Sequence, residues 1–239
     1  MNKLERVLII IPAYNEESCI LDTANKIINH NKENGTNYDL IVINDGSADK
    51  TEQVLKANKI PHICLVQNLG IGGAVQTGYK YAAVCGYDIA VQFDGDGQHD
   101  VACIKDLIFE LNKGYDMVIG SRFISREKSE FKSSAARRIG IKIISFIIRI
   151  LTGKKIYDPT SGFRACRSTA IRIFANDYPT EYPEPVSEVS LLKRKFKISE
   201  TPVNMYERQG GRSSIRAWKN AYYMINVTLA MILESLKRY

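Results

Sequence analysis

Five short apolar runs in the first half of the chain, each followed at once by polar residues, set the tightest limit on the fold. They span residues 7–11, 40–43, 63–66, 89–93 and 117–119, and are rich in Val and Ile. Near-continuous apolar runs of this length fit strands buried on both faces of a sheet. Helix-compatible stretches lie between them, at 16–30, 48–58, 73–85 and 101–113. Strand and helix in alternation imply right-handed crossovers and a mostly parallel sheet flanked by helices, an α/β fold.

Binding sites in such sheets lie beyond the carboxyl ends of the strands. The residues that follow each run are therefore the informative ones. They read P-A-Y-N-E-E (12–17), N-D-G-S-x-D-x-T (44–51), N-L-G-I-G-G (68–73), D-G-D-G-Q-H (94–99) and G-S-R (120–122). Polar and acidic groups thus converge on one sheet edge.

The second half is less regular. Residues 125–134 read as a polar loop, followed by a basic amphipathic helix from Ala135 and a loop from Asp158 to Arg164. Another helix is expected from the Y-P-E-P segment at 182–185, then a strand over 198–206. A basic, Gly-rich loop over 208–214 precedes the last helix. The expected organisation is one domain over 1–214 with a C-terminal amphipathic helix over 215–239, packed on it, on a membrane or on a partner.

Composition removes several classes. At 45% hydrophobic and 25% charged, the 239-residue chain has ample material for a core. Its five cysteines (Cys19, Cys64, Cys85, Cys103, Cys166) never form C-x-x-C, which argues against a disulfide scaffold or a thiolate zinc site and for a reducing cytoplasm. The M-N-K-L-E-R-V start has no signal-type apolar segment. No run reaches the roughly 18–20 apolar residues a spanning helix needs. The stretches 139–151 and 221–233 come partway, and fit core, partner-facing or membrane-surface helices. The net charge of +7 comes without a nucleic-acid recognition motif, so no nucleic-acid partner is expected. Gly70-x-Gly72 continues to Val75 rather than a third glycine, and the glycines at 73 and 78 are followed by Tyr79-Lys80, so neither a dinucleotide fingerprint nor a P-loop is present.

Asp94-Gly95-Asp96 is the sharpest chemical signal. In an extended chain, residues two apart point the same way, and Gly95 permits close approach. Two such carboxylates suit Mg²⁺ or Mn²⁺ with positions left open for a diphosphate. The alternative is a plain D-G turn pair.

The ordered set P-A-Y-N-E-E, N-D-G-S-x-D-x-T, D-G-D-G-Q-H, G-S-R, D-x-T-S-G-F-R (158–164) and R-x-x-G-x-S (208–213) resembles glycosyltransferase family 2. Within that family it is most similar to the polyprenyl- and dolichyl-phosphate sugar synthases. The resemblance implies the GT-A fold, Rossmann-like with a mostly parallel sheet, and an inverting transfer from a nucleotide diphosphate sugar, a UDP-sugar, to a polyprenyl phosphate. It implies a nucleoside pocket lined by Pro12, Ala13, Tyr14, Glu16 and Asp45. Asp94, Asp96 and Gln98 would carry a Mg²⁺ or Mn²⁺ on the donor diphosphate. Arg122, with Arg137 or Arg138, would meet the acceptor phosphate, and Arg208 and Ser213 would close over the reacting groups. Asp96, Arg122 and Arg208 stand as the catalytic set.

Two features depart from the family pattern. Asn44-Asp45 stands where an Asp pair is common, and the C-terminal membrane helices of some members are missing. Membrane contact is then expected from the 135–151 helix and from Arg216, Lys219, Lys237 and Arg238, or from a membrane-protein partner, with the protein at the inner face of the cell membrane and a homo-oligomer compatible. Asp158 fits either a function or a mere turn with Pro159 and Thr160. A second acceptor class is a sugar hydroxyl in surface polysaccharide or glycolipid assembly, which requires a general base. Glu184 and Glu188, in the acidic 181–188 segment, are the candidates. A non-catalytic sugar-nucleotide binder is a third class.

Overall fold

The computed structural model describes residues 5–124, 135–206 and 217–239. Its elements are β1 (Val7–Ala13), α1 (Ile20–Asn34), β2 (Tyr38–Asn44), α2 (Thr51–Ala57), β3 (His62–Cys64), α3 (Gly70–Val84) and β4 (Ile89–Gln92). A 3-10 turn (Val101–Cys103) leads into α4 (Ile104–Leu111), then β5 (Met117–Ser121), α5 (Ala135–Thr152), β6 (Arg164–Arg167) and α6 (Ser168–Asn176). α7 (Pro183–Lys193), β7 (Ile198–Pro202) and α8 (Ala217–Leu236) complete it.

The strands form one sheet in the order β3-β2-β1-β4-β6-β5-β7. Every pairing is parallel except those of β6, which runs antiparallel to both β4 and β5. Alternate residues of the strands feed two cores. Leu8, Ile10, Ile43, Ala90 and Ile119 pack under α3, α6 and α7, with Ile144 and Ile148 of α5 and Val227 and Met231 of α8. Ile9, Ile11, Val42, Val91 and Val118 pack on the other face under α1 and α4. Burial on both faces is why these strands carry apolar runs instead of alternation.

Several expected boundaries move. β3 ends at Cys64, and Val66 is fully exposed. α1 begins at Ile20, because Glu16 accepts the Cys19 and Ile20 amides in a preceding turn. α2 starts at Thr51 and α4 at Ile104. α3 starts at Gly70, so the glycines expected in a loop are helical. Gly72 is required by packing: a Cβ there would sit 2.4 Å from the carbonyl oxygens of Pro179 and Thr180. The strand expected over 198–206 stops at Pro202. Beyond it Met205 forms an isolated antiparallel bridge with His99, so the chain leaves β5 for the loop after β4. β6 and α6 have no counterpart in the sequence reading. The loops expected over 125–134 and 208–214 lie outside the described residues.

α8 packs against α5 and α7. Its C-terminal end is fastened by charge: Lys237 Nζ lies 2.6 Å from Glu234 and 3.9 Å from Asp177. Lys237, expected as a membrane-facing charge, remains half-exposed while paired with these carboxylates. Arg216 and the Lys219 side chain lie outside what is described. Among the described residues no helix is long and apolar enough to cross a membrane.

Candidate active site

The loops after β1 and β2 are bound to each other through side chains reaching backbone. Asn15, at φ 56°, accepts the Ala48 amide through Oδ1 at 2.9 Å and donates its own amide to Ser47 Oγ at 2.9 Å. The Glu16 amide donates to Thr51 Oγ1 at 3.0 Å, and the Glu17 amide to Asp49 Oδ2 at 3.1 Å. Much of the P-A-Y-N-E-E and N-D-G-S-x-D-x-T spacing is therefore architecture. Asp45 is buried, and its Oδ1 accepts the Leu69 amide at 2.7 Å, drawing the loop after β3 to the same edge. Gly46, at φ 65°, allows that approach: a Cβ would lie 2.8 Å from the Asn68 nitrogen. Of the expected nucleoside residues, Pro12 and Ala13 are buried at the end of β1 while Tyr14 is 49% exposed. Glu16 accepts from the Cys19 thiol at 2.9 Å; burial and then Glu16 push that thiol up to about 12.

The D-G-D-G-Q-H loop leaves β4 beside these loops. Gly95 packs on β1, where a Cβ would stand 3.1 Å from the Pro12 oxygen, and its carbonyl accepts the Thr23 hydroxyl at 3.0 Å. His99 Nε2 is 3.1 Å from Asp94 Oδ2. Its ring is buried, stacked on Phe163 at 4.7 Å and set edge-on to Phe93. Burial alone would raise the Asp94 carboxyl, but His99, the Gln92 amide and Arg122 together hold it below its ordinary value. Gly162 forms the opposite wall: a Cβ on it would lie 2.9 Å from both Asp94 carboxylate oxygens. Asp96 is buried at 8% exposure and accepts the Gln98 amide at 3.1 Å.

This donor set fits a hard divalent ion that keeps positions open. Among the described residues no three His, Cys, Asp or Glu converge as a complete cage. Two carboxylates with oxygen ligands supplied by a diphosphate and water are the usual arrangement for Mg²⁺ at a nucleotide. Gln98 is the weaker candidate ligand, because its side-chain amide lies 3.4 Å from the Tyr206 carbonyl oxygen. The same contact has a second effect. Together with the Tyr206 amide, which donates to the Gln98 carbonyl at 2.9 Å, it brings the chain to the site mouth just before Arg208. Arg208 and Ser213 themselves lie outside the described residues.

Arg122, directly after β5, forms a buried ion pair with Asp158. Its Nε donates to Asp158 Oδ2 and its Nη2 to Oδ1, both at 2.7 Å, and Nη2 also reaches Thr160 Oγ1 at 3.0 Å. The Arg122 amide adds a third bond to Asp158, at 3.0 Å. Asp158 and Thr160 thus orient the guanidinium expected at an acceptor phosphate, and tie it to the 158–164 turn. Glu200 backs that turn by accepting the Tyr157 and Asp158 amides at 2.7 and 2.8 Å. Arg137, on the first turn of α5, comes next to this pair: desolvation and the Arg122 guanidinium depress its pKa, and Asp158 and Tyr223 oppose them. Arg138 is exposed on α5.

Arg164 and Glu188, fully buried, join β6 to α7. Arg164 Nη2 meets Glu188 Oε1 at 3.0 Å, Nη1 meets Ser187 Oγ at 2.9 Å, and Nε meets the Ser161 carbonyl at 2.9 Å. Glu188 is therefore a structural anchor and not an accessible base. Glu184 differs: burial raises its carboxyl, Arg164 opposes, and Asp94 and Gln92 lie in its field.

Gln92 is the residue sequence reasoning missed. It opposes Arg164 across β4 and β6, is fully buried, and its amide favours the charged forms of the Asp94 and Glu184 carboxyls. A Cβ on Gly162 would approach its Nε2 to 3.1 Å. The available signal was a lone amide in an otherwise apolar strand, two residues before Asp94.

Comparison with known proteins agrees with this geometry. The glycosyl transferase family 2 model matches residues 8–174. A Methanococcus voltae protein named UDP-N-acetylglucosamine--dolichyl-phosphate N-acetylglucosaminyltransferase is 32% identical, over 95% of this chain and 98% of the relative. The undecaprenyl-phosphate mannosyltransferase of Micrococcus luteus is 29% identical, over 93% of each. Among solved structures, glucosyl-3-phosphoglycerate synthase from Mycobacterium tuberculosis, in complex with Mn²⁺, UDP and phosphoglyceric acid, superposes with a TM-score of 0.74 at 16% identity. That superposition covers 98% of this chain and 80% of the other, and supports the GT-A-like fold. The chain is a glycosyltransferase and belongs to glycosyl transferase family 2, on the side of that family that resembles the polyprenyl- and dolichyl-phosphate sugar synthases.

Proposed function

We propose that the chain transfers a sugar from a nucleotide diphosphate sugar, a UDP-sugar, to the phosphate of a polyprenyl phosphate, with inversion at the anomeric carbon. One observation carries the reading: the Asp94–Asp96 carboxylates share a sheet edge with Arg122 and, beside it, Arg137 at the start of an amphipathic helix. The first pair suits a diphosphate with its cation, and the second suits an anionic acceptor. The names of the Methanococcus voltae and Micrococcus luteus relatives support the acceptor class, and the former supports UDP.

Asp94 and Asp96 would hold a Mg²⁺ or Mn²⁺, which supplies Lewis-acid stabilisation of the leaving diphosphate. His99 fixes the rotamer of Asp94, and the Phe163 stack excludes water behind it. The loops after β1 and β2, hydrogen-bonded to each other, would form the floor for the nucleoside. On the acceptor side, the Asp158 pair orients Arg122, and Arg137 adds positive charge where a phosphate would enter. A phosphate oxygen is already anionic, so no proton needs to be removed from it. Arg208 and Ser213 would close over the reacting groups. Because such an acceptor is a membrane lipid, the enzyme works peripherally at the membrane surface.

A second reading, transfer to a sugar hydroxyl, draws on Glu184, whose raised carboxyl beside Asp94 suits a proton acceptor. Incubation with a panel of nucleotide sugars, undecaprenyl phosphate and Mn²⁺, followed by mass spectrometry, tests the proposal. A polyprenyl monophosphate sugar is the expected product. Donor hydrolysis with no lipid-linked product from any sugar would count against it.

A further inference from the structure

Two neighbouring helices leave apolar stripes facing outward. On α5, Ile139, Ile143, Phe146 and Ile150 are 59%, 44%, 62% and 66% exposed. Their spacing of four, three and four residues puts them on one helical face. On α8, Ile225, Leu229, Ile232 and Leu236 repeat that spacing at 61%, 53%, 37% and 71% exposure. The two helices touch, and a Cβ on Gly140 of α5 would stand 3.6 Å from Met224 Sδ of α8. The stripes thus border one seam and form a patch, and contiguous patches of this kind mark an interaction surface.

Charge identifies the occupant. The segment 135–155 contains six basic residues, Arg137, Arg138, Lys142, Arg149, Lys154 and Lys155, and no acidic one. At 100° per residue, Arg138, Lys142 and Arg149 fall on the flank of α5 opposite Gly140, with the apolar stripe between them and α8. All three are exposed. Apolar side chains bordered by lysine and arginine along a helix lying flat suit a lipid surface that is anionic at its headgroups.

The patch also has a direction. α5 begins beside the site, where Arg137 lies in the field of Arg122 and Asp158, and its stripe starts two residues later at Ile139. We infer that the α5–α8 face docks on an anionic bilayer, with the N-terminal end of α5 setting the site mouth at headgroup depth. This rests on the polyprenyl-phosphate reading: a lipid phosphate at Arg137 would then have its chain continuing along Ile139 and Ile143 into the bilayer.

The test uses the full chain and vesicles of phosphatidylcholine with or without phosphatidylglycerol. Two variants are compared with wild type, F146E/I150E and K142A/R149A, and thermal melts confirm folding. Sedimentation of wild type with phosphatidylglycerol vesicles should be strong at low salt and fall at high salt. K142A/R149A should bind about thirtyfold more weakly, each basic residue being worth about fivefold at such a surface. F146E/I150E should not bind, yet should transfer sugar to a water-soluble short-chain polyprenyl phosphate at the wild-type rate. Unchanged vesicle binding by both folded variants would overturn the inference. So would a wild-type dimer that ignores vesicles and is split by F146E/I150E, which would assign the face to a second copy. Vesicle binding lost in the variants, with no transfer to any polyprenyl phosphate by wild type, would uphold the docking face and defeat the acceptor reading instead.

Discussion

Arg122 and Asp158 form a buried bidentate ion pair, Nε to Oδ2 and Nη2 to Oδ1 at 2.7 Å each, with the Arg122 amide as a third donor to the same carboxylate. Removing one partner of such a pair leaves a charge buried and uncompensated, at a cost of about 3–5 kcal/mol. Arg122→Ala and Asp158→Ala should each lower unfolding stability by that order in urea titrations. The double variant should lose far less than the sum, since the partners are coupled. A loss under about 1 kcal/mol in either single variant would contradict the burial of the pair.

Gly162 and Gly72 separate a site effect from a fold effect. The Cβ of Gly162→Ala would meet Asp94 carboxylate oxygens at 2.9 Å, the movable end of a side chain. That variant should keep its melting temperature while Mn²⁺-dependent UDP binding weakens, measured by calorimetry. Gly72→Ala would meet backbone oxygens at 2.4 Å and should lower the melting temperature clearly.

The strands that carry the site were legible because β1, β2, β4 and β5 are buried on both faces and therefore apolar throughout. The carboxylates after β4 stood out by following a buried strand, whereas Asp45 and Asp49 after β2 turn out to bind backbone amides of neighbouring loops. β6 was not, because its four residues begin and end with arginine, and only the ion pair with Glu188 makes Arg164 compatible with full burial. The role of Asp158 depended on which charge lies behind the turn, 36 residues away in sequence. Glu188 looked like a possible base for the same reason: its partner is distant in sequence and near only in the fold. The glycines of α3 were ambiguous, since phosphate loops and close helix packing both demand them.

Gln92 is buried, and its amide favours the charged forms of the Asp94 and Glu184 carboxyls. Gln92→Met should cost about 1–3 kcal/mol of unfolding stability, because a buried carboxylate loses a donor. Asp94 would lose a supporting dipole, so the apparent affinity for Mn²⁺–UDP should fall several-fold. Equal nucleotide affinity combined with lower stability would show the amide to be purely structural.

Asp96→Asn removes one charge from the proposed cation site without removing volume. Turnover should fall by roughly 10²–10³, the scale seen when a preorganised electrostatic partner is lost. Circular dichroism and the melting temperature should stay near wild type, and excess chelator should inactivate the wild-type enzyme to a similar degree. Near-normal turnover of the variant at saturating Mn²⁺ would remove Asp96 from the site.

Acceptor choice is tested most directly by one competition reaction, in which the enzyme, Mn²⁺ and its UDP-sugar meet equal amounts of a polyprenyl phosphate, the matching polyprenol and a glycan primer. Mass spectrometry of the products should find the sugar on the polyprenyl phosphate alone, with no product on either hydroxyl acceptor. Sugar on the glycan primer with none on the lipid phosphate, abolished by Glu184→Gln while UDP binding persists, would contradict a phosphate acceptor.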